Sequence, residues 1–311
     1  MSTTRSVALS ALNIVTHPHT SSGYVDLFAD ARKLKQSVKI WGDTHGMLWS
    51  WFDLEEDGEI YTGEVFTYSE IDMDQDWLDL AKGEAATAKQ RAEITIPEHL
   101  KPQFKQIRFA FFPASHLWVF CEENAPDGSL GVSRMKIFLE RLLNDRALLE
   151  GRKFTRVDVR LVQSKETIEQ IFEEIEVKTL EILVLKPNDD SAGKAHQTVE
   201  EELEDENVSS YFIKKKAEPG QAIKPNESTI RYMDEAANNG YVEATGPDVK
   251  TGQKRTINTQ AHPLVQRFEY DSRTGFLDFF VEAATKLAKK AKKKLRERTR
   301  DKNDEDDDSK N

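Results

Sequence analysis

Cysteine is almost absent from this chain, where Cys121 is the single thiol in 311 residues. One cysteine excludes an intramolecular disulfide framework and a zinc site built from several thiolates, and it fits a reducing compartment. No apolar run approaches the ~20 residues that a membrane-spanning helix requires. Residues 1–16 lack the apolar h-region and small-residue cleavage site of a secretory signal. A soluble cytoplasmic protein with no membrane span is therefore expected. The phosphate-cradling Gly-x-x-x-x-Gly-Lys loop is missing, and so is the Gly-x-Ser-x-Gly nucleophile elbow. No cofactor is expected.

Aromatic residues are plentiful. Sixteen Phe, seven Tyr and five Trp rule out disorder of the whole chain, because disordered chains are poor in aromatics. The length suffices for one large domain or two ordinary ones. Charge is unevenly spread. Of 44 basic and 55 acidic residues, positions 286–311 hold eleven and seven, which leaves 33 and 48 in 1–285 and a net −15 there. Such a body repels nucleic acid unless its cations gather on one face, and solubility alone also accounts for it.

Hydrophobic periodicity sets the expected elements. Residues 6–15 are apolar and β-branched and read as a buried strand. Tyr24, Leu27, Phe28, Ala31 and Leu34 follow at helical spacing, behind Ser21 or Ser22 as N-cap. Strands are expected at 38–41, 47–54 and 59–68, with Glu56-Asp57-Gly58 turning the last hairpin. Residues 81–93 are polar and weakly patterned, a loop or exposed helix. A second, strongly aromatic hairpin joins 106–112 to 117–121 across Pro113-Ala114-Ser115-His116. A helix from Ser129 or Ser133 should reach Glu150. Strand 154–162, helix 165–174 and strand 179–185 then suggest a βαβ-like or split βαβ unit. Further on, the acidic run 200–206 reads as a solvated helix. Residues 228–239 read as a capped helix stopped by Asn238-Asn239-Gly240. Short strands are expected at 241–244, 256–259 and 265–270. The last element, from Thr274 to about Arg298, carries an apolar stripe of Phe276, Phe280, Ala283, Ala284, Leu287, Ala291 and Leu295.

The fold class expected is α+β, with mixed or antiparallel sheets, hairpins, the central split βαβ-like unit and a C-terminal amphipathic basic helix. The expected divisions are 1–125 (hairpin-rich α+β), 126–272 (α+β) and 273–311 (basic helix and acidic tail).

Several strings could carry chemistry. Gly42-Asp43-Thr44-His45-Gly46 after a strand matches the first motif of calcineurin-like metallophosphoesterases, where Asp and His hold a divalent ion. The downstream Gly-Asp-x-x-Asp and Gly-Asn-His motifs are missing, and a Gly-flanked turn explains the string equally. His17 and His19 in Thr-His-Pro-His could share a metal or be loop histidines beside proline. The carboxylates Glu70, Asp72, Asp74, Asp76 and Asp79 could hold Mg²⁺ for nuclease chemistry, or line a solvated turn. Cys121 lies within an aromatic strand and reads as a small buried hydrophobe.

The most unusual feature is the basic run. Lys286, Lys289, Lys290, Lys292, Lys293, Lys294, Arg296, Arg298, Arg300 and Lys302 fall within seventeen positions. The acidic stretch Asp304, Glu305, Asp306, Asp307 and Asp308 follows. A helix of this kind can bind duplex phosphates by counterion release, lie on an anionic membrane or remain a solvated tail.

Ser10-Ala11-Leu12-Asn13-Ile14-Val15-Thr16-His17-Pro18, Glu70-Ile71-Asp72, Ile96-Pro97-Glu98-His99-Leu100-Lys101-Pro102, Asn239-Gly240-Tyr241-Val242 and His262-Pro263-Leu264-Val265 resemble an uncharacterised bacterial family of unknown function. That resemblance spans most of the chain to about residue 270 and carries over no catalytic residue. Residues 168–187, with the order of elements ending in a helix, are similar to RexA-type phage-exclusion proteins. This second resemblance implies a dimeric α+β DNA-binding sensor that acts with an effector protein, although the acidic body departs from a basic DNA binder. The reading is a non-enzymatic binding protein of bacterial anti-phage or mobile-element defence. It touches DNA without sequence preference through Lys286, Lys289, Lys290, Lys292, Lys293, Lys294, Arg296, Arg298 and Arg300, works with a partner effector and forms a homodimer. The alternative is a metal-dependent nuclease or phosphoesterase using Asp43, His45 and the carboxylates of Asp72–Asp76.

Overall fold

The computed structural model describes residues 4–18, 23–54, 57–186 and 194–292. In chain order the elements are β1 (Thr4–His17), α1 (Gly23–Leu34), β2 (Val38–Trp41), β3 (Thr44–Asp53), β4 (Tyr61–Ser69), β5 (Leu78–Asp79), β6 (Glu84–Ala85), α2 (Ala88–Ala92), β7 (Lys105–Phe112) and β8 (Leu117–Glu123). There follow α3 (Val132–Leu143), α4 (Arg146–Leu149), β9 (Arg156–Leu161), α5 (Lys165–Glu174), β10 (Thr179–Leu185), α6 (Lys194–Asp205), β11 (Ser210–Lys216), α7 (Glu227–Asn239), β12 (Gly240–Pro247), β13 (Lys254–Asn258), β14 (Val265–Asp271) and α8 (Phe276–Lys292). The fold is α+β, and every strand pairing among the described residues is antiparallel.

The long strand β1 organises the larger sheet. Its residues Val7 to Thr16 are all buried, odd and even positions alike, so packing covers both faces of the strand. On one edge it pairs with β8; on the other, β14 takes residues 4–10 and β9 takes 12–17. The sheet continues from β8 through β7, β4 and β3 to β2. Helices α1 and α3 pack on β3, β2 and β9, while α8 packs on β1, β8 and β14. The aromatic-rich stretches fill this core: Trp118 stacks on Phe109 at 3.8 Å, and Phe28 of α1 lies 5.0 Å from Trp118.

A second sheet has the order β11-β10-β12-β13. Alternation in β10 sends Leu180, Ile182 and Val184 into a separate core with Ile168 and Ile171 of α5, Val199 and Leu203 of α6, and Met233 and Ala236 of α7. The cut expected between 125 and 126 does not separate the two cores. The first draws on residues 7–162 and 264–291, and the second on 168–257.

Three expectations on local structure need correction. The succession β9–α5–β10 is present, but β9 belongs to the first sheet and β10 to the second, so α5 bridges two sheets instead of closing a βαβ unit. The helix expected through to Glu150 breaks at Asn144. There the Asn144 amide donates to Glu140 O and Val157 O, and Asp145 caps α4 through Ala147 N–H; short polar side chains favour such caps over helix interiors. Helix α7 does end at Asn239, yet Gly240 is extended (φ 161°) and opens β12 without a left-handed cap. A Cβ at Gly240 would run into the Leu183 carbonyl of β10, so the glycine serves close strand approach.

Candidate nucleic-acid interface

Helix α8 is anchored by its apolar stripe. Phe280, Ala283, Ala284, Leu287, Ala288 and Ala291 are buried in the first core. At its start Phe276 packs edge-on against Tyr270, whose hydroxyl donates to Thr274 O. With that stripe inward, Lys286, Lys289 and Lys292 are exposed. Asp278 lies in the first turn and three lysines in the last, an order that suits the helix dipole.

The described lysines differ in what they touch. Lys286 reaches Glu282 at 2.6 Å, one turn back on the same helix. Lys290 turns inward to Glu166 of α5 at 2.9 Å. Burial raises the Glu166 pKa, but hydrogen bonds from Lys290, Ser164 and its own backbone N–H, with the charge of Lys290, outweigh it and hold the carboxyl at about 2. Lys290 is therefore a half-buried tie between the two cores. Lys293, Lys294, Arg296, Arg298 and Arg300 lie outside the described residues, as do Leu295 and Asp304–Asp308.

At the C-terminal end of α8 the two cores meet around a small, partly polar recess. Asn13 of β1, Ser115 and Leu117 line it from the first sheet, Asn238 and Asn239 from the end of α7, and Ala291 and Lys292 from α8. Behind it runs a buried network. Asn239 Oδ1 accepts from Asn13 Nδ2 (3.1 Å) and Arg160 Nη1 (2.9 Å), and Asn239 Nδ2 donates to Glu235 (2.7 Å). Arg160 also donates to Lys186 O, and burial lowers its pKa. Gln163 donates its side-chain amide to Gly240 O, and its backbone N–H reaches Ala237 O. These residues were missed as a site. Asn13 inside a largely apolar strand is the legible signal, since a buried polar group needs a partner. In the sequence Asn238 and Asn239 signal only a helix stop.

The candidate metal residues are dispersed. Trp41 pairs with Thr44, so Gly42 (φ 52°) and Asp43 form the two-residue hairpin loop between β2 and β3. Asp43 O accepts from Glu70 N–H, and His45 Nδ1 lies 3.2 Å from Ser37 Oγ on an exposed surface. Asp72 accepts from Asp74 N–H, Asp79 from Ala81 N–H and the Gln90 amide, and Asp76 lies 4.0 Å from Arg91. Asp72 and Asp79 thus close turns. His17 lies 2.7 Å from Asp158, while His19 is outside the described residues. Burial raises the Asp158 pKa, but hydrogen bonds from Arg156 and His17 hold the carboxyl below its usual range. Among the described residues no three His, Cys, Asp or Glu side chains gather to hold a metal ion. Cys121 is fully buried, and burial pushes its thiol pKa up. No described helix is long and apolar enough to cross a membrane.

Comparison with curated proteins finds no match. A family model described as a domain of unknown function, DUF4747, matches residues 5–289, which takes in both sheets and nearly all of α8. The chain belongs to the DUF4747 family.

Proposed function

We propose that this protein is a non-enzymatic DNA-binding sensor or regulator. It would hold duplex phosphates on the outer face of α8 and on the basic segment that continues it. The observation that carries this reading is the setting of α8, whose apolar stripe is buried while Lys286, Lys289 and Lys292 are exposed along one side. In a body of net charge −15, that helix leads into the densest run of cations. Lysine-dominated contacts attract phosphates and carry few bidentate base contacts, so recognition is insensitive to sequence. Lys290 is removed from the expected contact set by its pairing with Glu166. A cytoplasmic role in bacterial anti-phage defence, as a homodimer acting with an effector protein, rests on the resemblance of 168–187 and the terminal helix to RexA-type proteins.

A mobility-shift titration with duplex DNA, run with Mg²⁺ or Mn²⁺ and an intact-DNA control, tests the reading. Bound and intact DNA is expected. With about five phosphate contacts, log K should fall against log salt with a slope of about −4.5. Degraded DNA, or affinity unchanged after removal of 293–311 combined with Lys286→Gln and Lys289→Gln, would overturn it.

A further inference from the structure

We infer that the outer face of β3 and β4 is a stacking platform for single-stranded nucleic acid, a site separate from the helix proposed to hold duplex phosphates. Helices α1 and α3 take the opposite side of these strands. There Trp51 stacks on Phe28, and a Cβ at Gly46 would run into Phe138. Alternation along β4 sends Phe66, the neighbour of buried Val65, to the outer side. The register of β3 shifts between Leu48 and Ser50, and such a bulge re-aims a side chain. Trp49 stands at that shift, its ring stacked on Phe66 at 4.8 Å and 13°. Phe104, just before β7, meets Phe66 edge-on at 4.9 Å. Trp49 is 41% exposed and Phe104 55%. The three rings belong to neither core, so filling the interior does not account for them.

Cations border the cluster. Lys35 Nζ stands 4.8 Å from the centre of the Trp49 ring. Lys39 of β2 lies in one cross-strand row with His45 and Tyr68, next to the row of Met47 and Phe66. Both lysines are exposed, and neither pairs with a described carboxylate. The nearby Glu64 lies 3.4 Å from Arg108, and Glu70 is tied to Lys101. Lys35 and Lys39 thus leave positive charge beside exposed rings in an otherwise acidic body. An apolar protein surface laid here would desolvate both ammonium groups without a counter-charge. An unpaired base offers a flat face to stack, and its phosphate offers an anion for a lysine. A duplex keeps its base faces inside its own stack, so the occupant is a single strand. Lys35 covers the face of Trp49 that Phe66 leaves open. Cation–π contact at an exposed site is weaker than the stacking of a base, so a base displaces the ammonium, which then turns to phosphate.

The test uses the full chain and fluorescence anisotropy. The probe is a labelled oligothymidylate of about a dozen nucleotides, compared with an abasic deoxyribose-phosphate chain of equal length. Excess unlabelled blunt duplex is present throughout, which makes the outcome independent of whether α8 holds duplex. Oligothymidylate is expected to bind about tenfold more tightly than the abasic chain. Trp49→Ala should remove about that factor and leave the abasic chain unaffected, while Trp49→Phe should keep most of it. Phe104→Ala alters a residue outside every strand and should weaken the same probe selectively. Thermal melting shows first that the variants are folded. Equal affinity for the two probes, or oligothymidylate binding that survives both alanine substitutions, overturns the inference. So does sedimentation showing a dimer that Trp49→Ala separates, because a second copy then covers the rings.

Discussion

Lys290 Nζ of α8 lies 2.9 Å from Glu166 Oε1 of α5, joining a helix of the first core to a helix of the second. The folded carboxyl titrates at about 2 against an ordinary value of 4.5. A depressed acid contributes stability that is fully present above its unfolded pKa and lost as pH falls through the folded one. Glu166→Gln should therefore be less stable than the natural chain at pH 7, and the difference should fade between about pH 4.5 and 2. Both side chains keep about a third of their surface in water, so screening limits the loss to about 0.5 kcal/mol. Denaturant melts of both proteins across that range check it; a difference that is flat with pH would remove the tie.

Asn239 should matter more. It bridges Asn13, Arg160 and Glu235 while almost wholly buried. Replacing it with Leu leaves a buried cation and carboxylate without their shared partner, at a cost of about 3 kcal/mol. Equilibrium urea unfolding measures this, and a loss below about 1 kcal/mol would mean that water replaces the amide.

Truncation should have two thresholds. Leu287, Ala288 and Ala291 lie in the first core, so a chain ending at 286 loses packing by about 2–4 kcal/mol. A chain ending at 292 should melt within about 1 °C of the full chain while losing most of its duplex affinity. Equal melting of both truncations would show that residues 287–292 contribute nothing to the core.

Asp43 and His45 should be silent. Asp43→Ala and His45→Ala alter a hairpin loop and a half-buried residue at the start of β3, and changes away from the core stay within about 0.5 kcal/mol. Elemental analysis of purified protein should give the same result before and after substitution; a stoichiometric metal that disappears with Asp43→Ala would restore the phosphoesterase alternative.

Cys121 should resist alkylation. It is fully buried, and burial raises its thiol pKa, so the reactive thiolate is scarce at neutral pH. Iodoacetamide followed by mass spectrometry should label it only in denaturant, at a rate that follows global unfolding.

Local periodicity was a good guide where one face of an element is buried. The alternation of 179–185 and the aromatic hairpin around Pro113 stand where periodicity puts them, and so does the stripe of α8 as far as Ala291; its expected last member, Leu295, lies outside the described residues. What pattern could not show was partnership. Residues 154–162 and 179–185 look like neighbours in one sheet, yet β9 joins β1 and β10 joins β12. The choice of partner depends on long-range burial and leaves no trace in a ten-residue window. The polar recess was hidden for the same reason, since Asn13, Ser115, Asn238 and Lys292 come from four separate stretches. The basic run was visible at once, but the inward turn of Lys290 was not, because a lysine's spacing says nothing about an acid on another helix.

The closure of the first sheet sets a clock on synthesis. Ser10 is bound to Leu264 across 254 positions, and β14 pairs with the same strand. At roughly 5–20 residues per second, translation separates those partners by roughly 10–50 s. During that interval the apolar edge of β1 must wait beside the ribosome, open to chaperones or to another nascent copy. The second core, drawn from residues 168–257, has all its residues before β14 is made. It would stand as a finished knob on an unfinished sheet, and slower decoding after residue 257 would lengthen the exposure of β1 without changing the final structure.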